Sequence, residues 1–308
     1  MKNAVITGAT GFIGGELTKL LLQNNVEVYA VVRPDSPHIH RLPKSDNLHI
    51  IALDMKDIAM LAQLKLPQID TFYHLAWDGI RAKARDDVLL QENNYKIAME
   101  AVQTAHALKC NLFVGAGSQA EYGITEGKLD EQERSENPVT AYGKAKLKLF
   151  YDANQLAKEL KMHFVWARIF SLFGPNDNET TLIMSCIKKM LRNEAVDLTP
   201  CGQMWDFLHV SDAANALYLL GSSPKANGMY HIASGEPRIL KEYILELAEQ
   251  LHAKVPLHFG AFPYPAEGAV GFQPSVDRLK VEFNWKPQFS FQEGISDILR
   301  GMNETDEV

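Results

Sequence analysis

A glycine-rich turn near the N-terminus constrains the fold of this chain more than any other feature of its sequence. Gly8, Gly11 and Gly14 follow a short apolar run at residues 4–7, and residues 12–23 then have the 3.6-residue period of a helix. A β-branched run at residues 26–32 completes a strand–helix–strand unit. Strands joined by a helix in this way run parallel, so the chain begins a parallel sheet.

The alternation of strands and helices continues to the middle of the chain. Further strand candidates lie at residues 48–53, 71–76, 111–115 and 163–169, with helical stretches at residues 82–108 and 141–160. This pattern predicts an α/β fold, a doubly wound, Rossmann-like parallel sheet covered by helices on both faces.

The pattern changes after Arg168, with a loop at residues 174–177, a helix at residues 182–192 and a return strand at residues 205–210. We therefore expect a smaller C-terminal substrate lobe. The expected Rossmann-like domain covers residues 1–170 together with about 205–235, and the lobe covers about 171–204 and 236–308.

The composition narrows the classes of function. The 308 residues include 38 acidic and 31 basic side chains, a net charge of −7, so no basic field attracts nucleic acid or an anionic membrane. No apolar run reaches the roughly 20 residues that span a bilayer, and the first strand starts too early for a signal peptide. We expect a cytoplasmic protein. Cys110, Cys186 and Cys201 have no ligand-like spacing, which predicts buried thiols and neither a disulfide framework nor a metal site.

The glycines have a specific use if the turn binds a dinucleotide. A pyrophosphate can lie on the N-terminus of a helix only where no side chain blocks the backbone N–H groups, and Gly8, Gly11 and Gly14 provide that clearance. The alternative is a tight turn with incidental glycines. The position of the motif between a strand and an amphipathic helix favours binding.

The end of the second strand bears on which cofactor is bound. Sites that prefer NAD usually carry an acidic residue here for the ribose hydroxyls, whereas this chain has Arg33. A guanidinium can pair with a 2′-phosphate, so NADP(H) is favoured and NAD(H) stays possible. The alternative is a solvated surface arginine. Asp54, after the next strand, either contacts the adenine amino group or only closes a turn.

Tyr142 and Lys146 form the candidate proton-transfer pair. Positions four apart lie on one face of a helix, so the two polar ends can meet. A nearby ammonium favours the phenolate, which would lower the tyrosine pKa toward neutrality. The alternative is a surface tyrosine near one of several lysines, since Lys144 and Lys148 lie on the same helix.

Several motifs occur in an order that resembles one enzyme family. Besides the glycine pattern and Tyr-x-x-x-Lys, the chain has His-Leu-Ala at 74–76, Asn-Asn-Tyr at 93–95, a Ser-to-Gly segment at 118–123 and Trp-Asp-Phe-Leu-His-Val at 205–210. Over nearly its whole length it is similar to extended short-chain dehydrogenases/reductases, in the nucleotide-sugar branch that includes epimerases, dehydratases and 4-ketoreductases. The resemblance implies that Ser118 is the catalytic hydroxyl, donating to the substrate oxygen beside Tyr142.

The motifs and the resemblance together give a set of candidate site residues. The catalytic residues are Ser118, Tyr142 and Lys146. The cofactor contacts are Gly8, Thr10, Gly11, Phe12, Ile13, Gly14, Arg33, Asp54, Met55, Leu75, Ala76, Asn94, Tyr142, Lys146 and Phe170. The substrate contacts are Trp77, Ser118, Gln119, Ser171 and Trp205.

The chain departs from the family pattern at identifiable positions. Dehydratases of the family carry an Asp-Glu type pair directly after the catalytic hydroxyl residue, whereas this chain has Gln119 and Ala120, which disfavours dehydration. Trp205 stands where relatives often place an arginine on the diphosphate. It either stacks on a base or sugar face or belongs to the core.

These observations favour an NADP(H)-dependent reductase or dehydrogenase acting on a nucleotide-linked 4-keto deoxysugar. A nucleotide-sugar 4-epimerase with tightly bound NAD would use the same residues. A non-catalytic dinucleotide sensor would be expected to lack Ser118, Tyr142 or Lys146.

A homodimer is also expected. The two long helices carry apolar residues on more than one face, and in the resembling family these helices form a four-helix bundle across a two-fold axis. The apolar residues are Val88, Ile97, Val102, Leu147 and Phe150.

Overall fold

The structure, a computed structural model, describes residues 1–125, 127–133, 135–264 and 270–306. The chain divides into two compact units. The first comprises Met1–Gly123, Glu136–Ile169 and Ala213–Ile232, and the second comprises Ile124–Ser135, Phe170–Asp212 and Ala233–Val308. Residues 265–269 and 307–308 of the expected lobe lie outside the described residues.

The described residues form the following strands and α-helices. The strands are β1 (Asn3–Thr7), β2 (Glu27–Val32), β3 (Leu48–Ala52), β4 (Thr71–His74), β5 (Leu112–Ser118), β6 (Lys128–Leu129), β7 (His163–Ile169), β8 (Ser171–Phe173), β9 (Val196–Leu198), β10 (Met204–Trp205), β11 (Phe207–His209), β12 (Gly228–Ile232), β13 (Arg238–Ile239), β14 (Leu257–Phe259) and β15 (Gln273–Pro274). The helices are α1 (Phe12–Gln23), α2 (Val88–Ala107), α3 (Ala141–Glu159), α4 (Leu182–Leu191), α5 (Val210–Ser222), α6 (Leu240–Gln250), α7 (Asp277–Phe283) and α8 (Phe291–Asp306).

A seven-stranded sheet organises the first unit, in the order β12-β7-β5-β4-β1-β2-β3. Every neighbouring pair is parallel. The strand order reverses at β1, which pairs with β2 on one side and with β4 on the other. The predicted doubly wound parallel sheet is therefore confirmed, and the reversal point is where ligands bind in folds of this kind.

The first unit is held together by apolar side chains between the sheet and its helices. Phe72, Phe113 and Phe164 lie on adjacent strands with their rings stacked, at centroid distances of 5.6 and 6.2 Å. Helix α2 buries Ala98 and Val102 in the same cluster. Small residues on a helix allow close approach to a sheet, so this packing fixes the carboxyl ends of β4 and β5 relative to α2.

Two predicted elements differ from the structure in their bounds. The predicted helix at residues 82–108 is a 3₁₀ turn at Ala82–Asp86 followed by α2, which starts at Val88. Ala82 has a φ of 48°, and the Asp87 side chain accepts a hydrogen bond from Leu90 N, which caps the new helix. The predicted strand at residues 111–115 extends to Ser118.

The predicted return strand at residues 205–210 is also different. It is two short strands, β10 and β11, separated by Asp206. The Asp206 carboxylate accepts hydrogen bonds from the backbone N–H groups of Ser234 and Gly235. These hydrogen bonds interrupt the predicted strand at Asp206. Because β11 pairs with β8, residues 207–209 group with the second unit.

The second unit has its own core. Helices α4, α6 and α8 contribute buried aliphatic residues, and an aromatic cluster joins Phe173, Phe207, Tyr243 and Phe291, with ring centroids 4.9–6.1 Å apart. The three cysteines are buried and free, as predicted. Burial raises the pKa of the Cys110 and Cys186 thiols to about 12.

Part of the sequence-based argument for a dimer through α2 and α3 is wrong, because two of the apolar residues on these helices pack within the chain itself. Val102 is fully buried in the first unit, and Phe150 packs against Phe164 and Trp166, so the chain itself covers both. Val88 and Leu89, at the start of α2, are exposed. No helix in the described part of the chain is long and apolar enough to cross a membrane.

Candidate active site

The glycine turn forms a tight backbone cradle at the end of β1. Gly8 has a φ of +73°, and Gly11 N donates to Gly8 O at 2.9 Å. A Cβ on Gly14 would lie 2.1 Å from Gly8 O, so no side chain fits there. Helix α1 begins after Gly11 without a side-chain cap. The first residues of α1, Phe12 and Ile13, thus begin a helix with an open N-terminus, which fits the phosphates of a dinucleotide.

Three predicted cofactor residues lie on the loops after β1, β2 and β3. The Thr10 hydroxyl bonds the Ser36 hydroxyl at 3.1 Å, which ties the glycine turn to the loop after β2. The Arg33 side chain is 61% exposed, with its Nη1 4.0 Å from an Asp78 oxygen. Asp54 accepts a hydrogen bond from Lys56 N at 3.0 Å and caps a 3₁₀ helix. Asp54 therefore closes a turn, and its predicted contact with the adenine amino group stays a prediction.

The loop after β4 faces the glycine turn. A Cβ on Gly8 would lie 2.9 Å from Ala76 N, so the loop and the turn are in close contact. Asn94 is buried in α2, and its side chain donates to Asp78 O at 2.8 Å. Trp77 Nε1 donates to Gln91 Oε1 at 2.8 Å. Asn94 and Gln91 therefore hold this loop in place. Leu75 on this loop and Met55 after β3 are both half-buried.

Ser118 and Tyr142 meet at the end of β5. Ser118 is the last residue of the strand, and Tyr142 is the second residue of α3, whose N-terminus is capped by Thr140. The two side chains are hydrogen bonded. Burial raises the pKa of the Tyr142 phenol, while the bond to Ser118 and the Arg85 guanidinium, 5.2 Å from its ring centroid, act in the opposite direction. The phenol is therefore protonated at neutral pH.

Lys146 lies one helical turn beyond Tyr142. Its ammonium donates to Ala116 O at 2.7 Å and lies 3.7 Å from the centroid of the Trp77 ring. Burial lowers the pKa of Lys146 to about 7. The prediction that this ammonium lowers the Tyr142 pKa is not met here, because Lys146 points to Ala116 and burial controls the phenol.

The remaining candidates lie elsewhere. Gln119 opens the 3₁₀ turn after Ser118. Phe170, Ser171 and Trp205 belong to the second unit. There the Phe170 ring meets Phe272 edge-on, Ser171 begins β8, and the half-buried Trp205 lies 5.5 Å from Phe272, centroid to centroid. Trp205 thus takes part in an aromatic cluster of its own unit.

Three charged residues near Tyr142 were not singled out from the sequence. Arg85 contacts the Tyr142 ring, and Glu121 and Arg168 form a fully buried ion pair beside Ser118. Arg168 lies inside an apolar strand, Phe-Val-Trp-Ala-Arg-Ile. A charge in such a strand requires a buried partner, so the sequence does contain a signal for the pair.

The first unit therefore combines a glycine turn that fits a dinucleotide with Ser118, Tyr142 and Lys146, the candidate catalytic residues, at the end of β5 and the start of α3. The profile of the NAD dependent epimerase/dehydratase family matches residues 4–233. The chain belongs to this family, in the extended short-chain dehydrogenase/reductase group.

Similar proteins cover almost the entire chain. CDP-abequose synthase from Salmonella muenchen is 23% identical over 303 residues, 97% of each chain. UDP-N-acetylglucosamine 4-epimerase from Methanobrevibacter ruminantium M1, in complex with UDP-N-acetylmuramic acid, has a TM-score of 0.89 at 21% identity over 99% of both chains. MoeE5, in complex with UDP-glucose and NAD, has a TM-score of 0.86 at 23% identity, over 98% of this chain and 99% of its own. These structural similarities show the fold.

Proposed function

We propose that this protein is an NADP(H)-dependent reductase, or dehydrogenase in reverse, of a nucleotide-linked 4-keto deoxysugar. The observation that carries the proposal is the hydrogen bond between Ser118 and a buried, protonated Tyr142, one helical turn from Lys146. Reduction of a ketone needs a proton donor at the carbonyl oxygen, and the raised pKa of Tyr142 keeps the phenol in that form.

Each catalytic side chain has a defined role in this reaction. The Ser118 hydroxyl donates a hydrogen bond to the substrate carbonyl oxygen and polarises it. The Tyr142 phenol gives its proton to the same oxygen as the carbonyl carbon is reduced. Lys146 Nζ lies 5.9 Å from the Tyr142 ring centroid, and it would stabilise the phenolate that remains by turning toward it from Ala116 O. In the oxidative direction the phenolate takes the proton back.

The dinucleotide would lie on the glycine turn and the N-terminus of α1, with the loop after β4 beside it. When bound, its nicotinamide supplies or accepts the hydride. Arg33 supports NADP(H), since its guanidinium is largely exposed and could pair with a 2′-phosphate in exchange for its long contact with Asp78. Lys146 is proposed to hold the nicotinamide ribose.

The substrate class can be tested with purified protein. NADPH oxidation would be followed against a panel of nucleotide-linked 4-keto sugars that varies the base and the sugar. We expect turnover with at least one member, and none with the corresponding free sugars. Absence of turnover across the panel would contradict the reductase assignment.

A nucleotide-sugar 4-epimerase is the second candidate, favoured by the family and by the epimerases among its structural neighbours. An epimerase oxidises and re-reduces the same carbon, so it needs the same three side chains. It would retain bound NAD through purification and interconvert two sugars with no net use of NADPH. That result would replace the reductase with the epimerase.

We also propose that the protein is a homodimer through α2 and α3. The support is the exposed Val88 and Leu89 at the start of α2, together with half-buried Ile97 and Leu147. An isologous pair of helices would cover these residues.

A further inference from the structure

A buried carboxylate lies directly behind the catalytic serine. Glu121 ends the 3₁₀ turn that follows Ser118, and its side chain is completely buried. One oxygen, Oε1, accepts the backbone N–H of Ser118 at 2.7 Å. The other, Oε2, accepts from Nε and Nη2 of Arg168, both at 2.8 Å. The Trp166 indole N–H lies 3.1 Å from both oxygens.

The surroundings leave Glu121 little freedom. A Cβ on Gly117 would lie 2.3 Å from the Trp166 nitrogen and 2.8 Å from Glu121 Oε1, so the bonds require a glycine before Ser118. Ser118 Oγ in turn accepts from Ala120 N at 3.1 Å. The serine is thus fixed through its backbone by Glu121 and through its hydroxyl by the same short turn.

Stability alone does not explain a charge pair at this position. Burying two charges costs free energy that their attraction often fails to recover, and apolar side chains of equal volume are commonly as stable. The pair does provide a fixed orientation, because every partner of Glu121 is a donor in a defined direction. The element fixed in this way carries the hydroxyl that bonds Tyr142.

We propose that Glu121, anchored by Arg168, is a positioning residue for Ser118 that aims its hydroxyl at the substrate oxygen beside Tyr142. The proposal rests on the proposed function for the role of Ser118. It assigns Glu121 no contact with substrate or cofactor.

The charge of Glu121 also reaches the proton-transfer pair. It raises the pKa of Tyr142 and opposes the depression of the Lys146 pKa by burial. Among the described residues, the other charged or titratable groups facing this cluster are Arg168, Tyr122, Glu136, Arg85 and His74. Glu136 bonds Arg168 Nη2 at 3.0 Å from the other side and has no bond to Ser118 among the described interactions.

The test compares Glu121→Gln with a matched control, Glu136→Gln. Each removes one carboxylate charge from Arg168, but only Glu121 touches Ser118. In Glu121→Gln the amide NH₂ must face one of the donors, Ser118 N–H, Trp166 or Arg168. Because a donor then faces a donor, at least one of these hydrogen bonds is lost. We expect kcat to fall by roughly 10- to 100-fold with cofactor affinity unchanged, and the control to stay within about twofold of wild type.

A double substitution separates positioning from general damage. If Glu121 acts through Ser118, then Glu121→Gln should cost little more in a Ser118→Ala background, because the aimed hydroxyl is already gone. Equal losses in both backgrounds, or equal losses for Glu121→Gln and Glu136→Gln, would overturn the proposal. If Glu121→Gln does not fold, Glu121→Asp keeps the charge and withdraws it from Ser118. The kcat losses that support or overturn the proposal are then the same as for Glu121→Gln.

A measurement without substrate keeps the inference separate from the proposed function. An NMR titration of the Lys146 amine should show a lower pKa in Glu121→Gln than in wild type, and no change in Glu136→Gln. An unchanged Lys146 pKa in Glu121→Gln would count against the placement of Glu121 beside the catalytic group. A wild-type enzyme inactive on every nucleotide sugar would defeat the proposed function and leave this titration valid.

Discussion

Tyr142 is the residue on which the proposed chemistry depends most. Tyr142→Phe removes the proposed proton donor while keeping the ring that contacts Trp77 and Arg85. We expect turnover to fall by roughly 10²- to 10⁴-fold, the usual contribution of a positioned acid or base, with cofactor affinity nearly intact. Steady-state kinetics and a fluorescence titration of NADPH measure the two effects. Near-normal turnover in the variant would refute the role of Tyr142.

Lys146 makes the stability of the protein depend on pH. Its folded-state pKa, about 7, lies below its ordinary value of 10.5. Between these values the unfolded chain binds a proton that the folded chain does not, so the Lys146 contribution destabilises the fold as pH falls through this window and levels off below it. Each pKa unit by which folding lowers the pKa of Lys146 corresponds to about 1.4 kcal/mol in the free energy of unfolding.

Lys146→Met should therefore be inactive and, at neutral pH, more stable than wild type. Denaturant unfolding across the window would show the stability difference growing as pH is lowered toward 7. The same difference at every pH would mean that Lys146 is protonated throughout in the folded protein.

Arg33 tests the choice of cofactor. If its guanidinium pairs with a 2′-phosphate, the wild type binds NADPH more tightly than NADH, and Arg33→Ala narrows the gap. Loss of a charge-assisted contact costs about 1.5–3 kcal/mol, which is roughly tenfold to a hundredfold in affinity. Calorimetric titration provides both constants, and equal wild-type affinities for the two cofactors would rule out the preference.

At the scale of the structural element, the turn between β1 and α1 has a sharp steric requirement, and adjacent glycines provide a matched pair. A Cβ on Gly14 would lie 2.1 Å from Gly8 O, whereas one on Gly15 would lie 3.8 Å from Ala9 O, an ordinary contact. Gly14→Ala should destabilise the protein by about 1–3 kcal/mol through overpacking and weaken dinucleotide binding.

Gly15→Ala should instead stabilise the protein by about 0.5–1 kcal/mol, since alanine is preferred inside a helix, and leave binding unchanged. Thermal unfolding with and without NADPH distinguishes the two variants. Similar behaviour of both would show that the turn is not the cradle described.

The elements show what periodicity and turn chemistry can predict. The first βαβ unit and helix α3 follow the sequence pattern closely, because one hydrophobic period and one set of turn residues define each of them. The start of α2 differs from the predicted one because Asp87, eight residues after the loop glycine Gly79, caps the helix. The break at Asp206 depends on backbone donors from Ser234 and Gly235, which are distant in sequence.

At the scale of the whole molecule, the sequence predicts which residues belong to the candidate site, but it does not predict how tertiary packing orients and buries them. Spacing places Tyr142 and Lys146 on one helix face, and the order of motifs points to Ser118. The direction of the Lys146 ammonium and the burial of Tyr142 arise from tertiary packing, so the pKa of the phenol could not be predicted from helical spacing.

The assembly of the molecule provides a further prediction. Light scattering at micromolar concentration should return twice the 34.5 kDa mass of the chain. Leu89→Glu places a charge on the most exposed apolar side chain of α2, which is 78% accessible, and should shift the protein toward the monomer. A wild-type mass near 34.5 kDa would contradict the dimer.

The most direct test of the central claim follows the hydride itself. The protein would be incubated with NADPH deuterated at the transferable position and with the panel of nucleotide-linked 4-keto sugars, and the products analysed by mass spectrometry and NMR. We predict deuterium on the sugar carbon that was the carbonyl, in the wild type and not in Tyr142→Phe over the same time. Absence of deuterium from every sugar, or equal transfer by both proteins, would contradict the assignment of this site to carbonyl reduction.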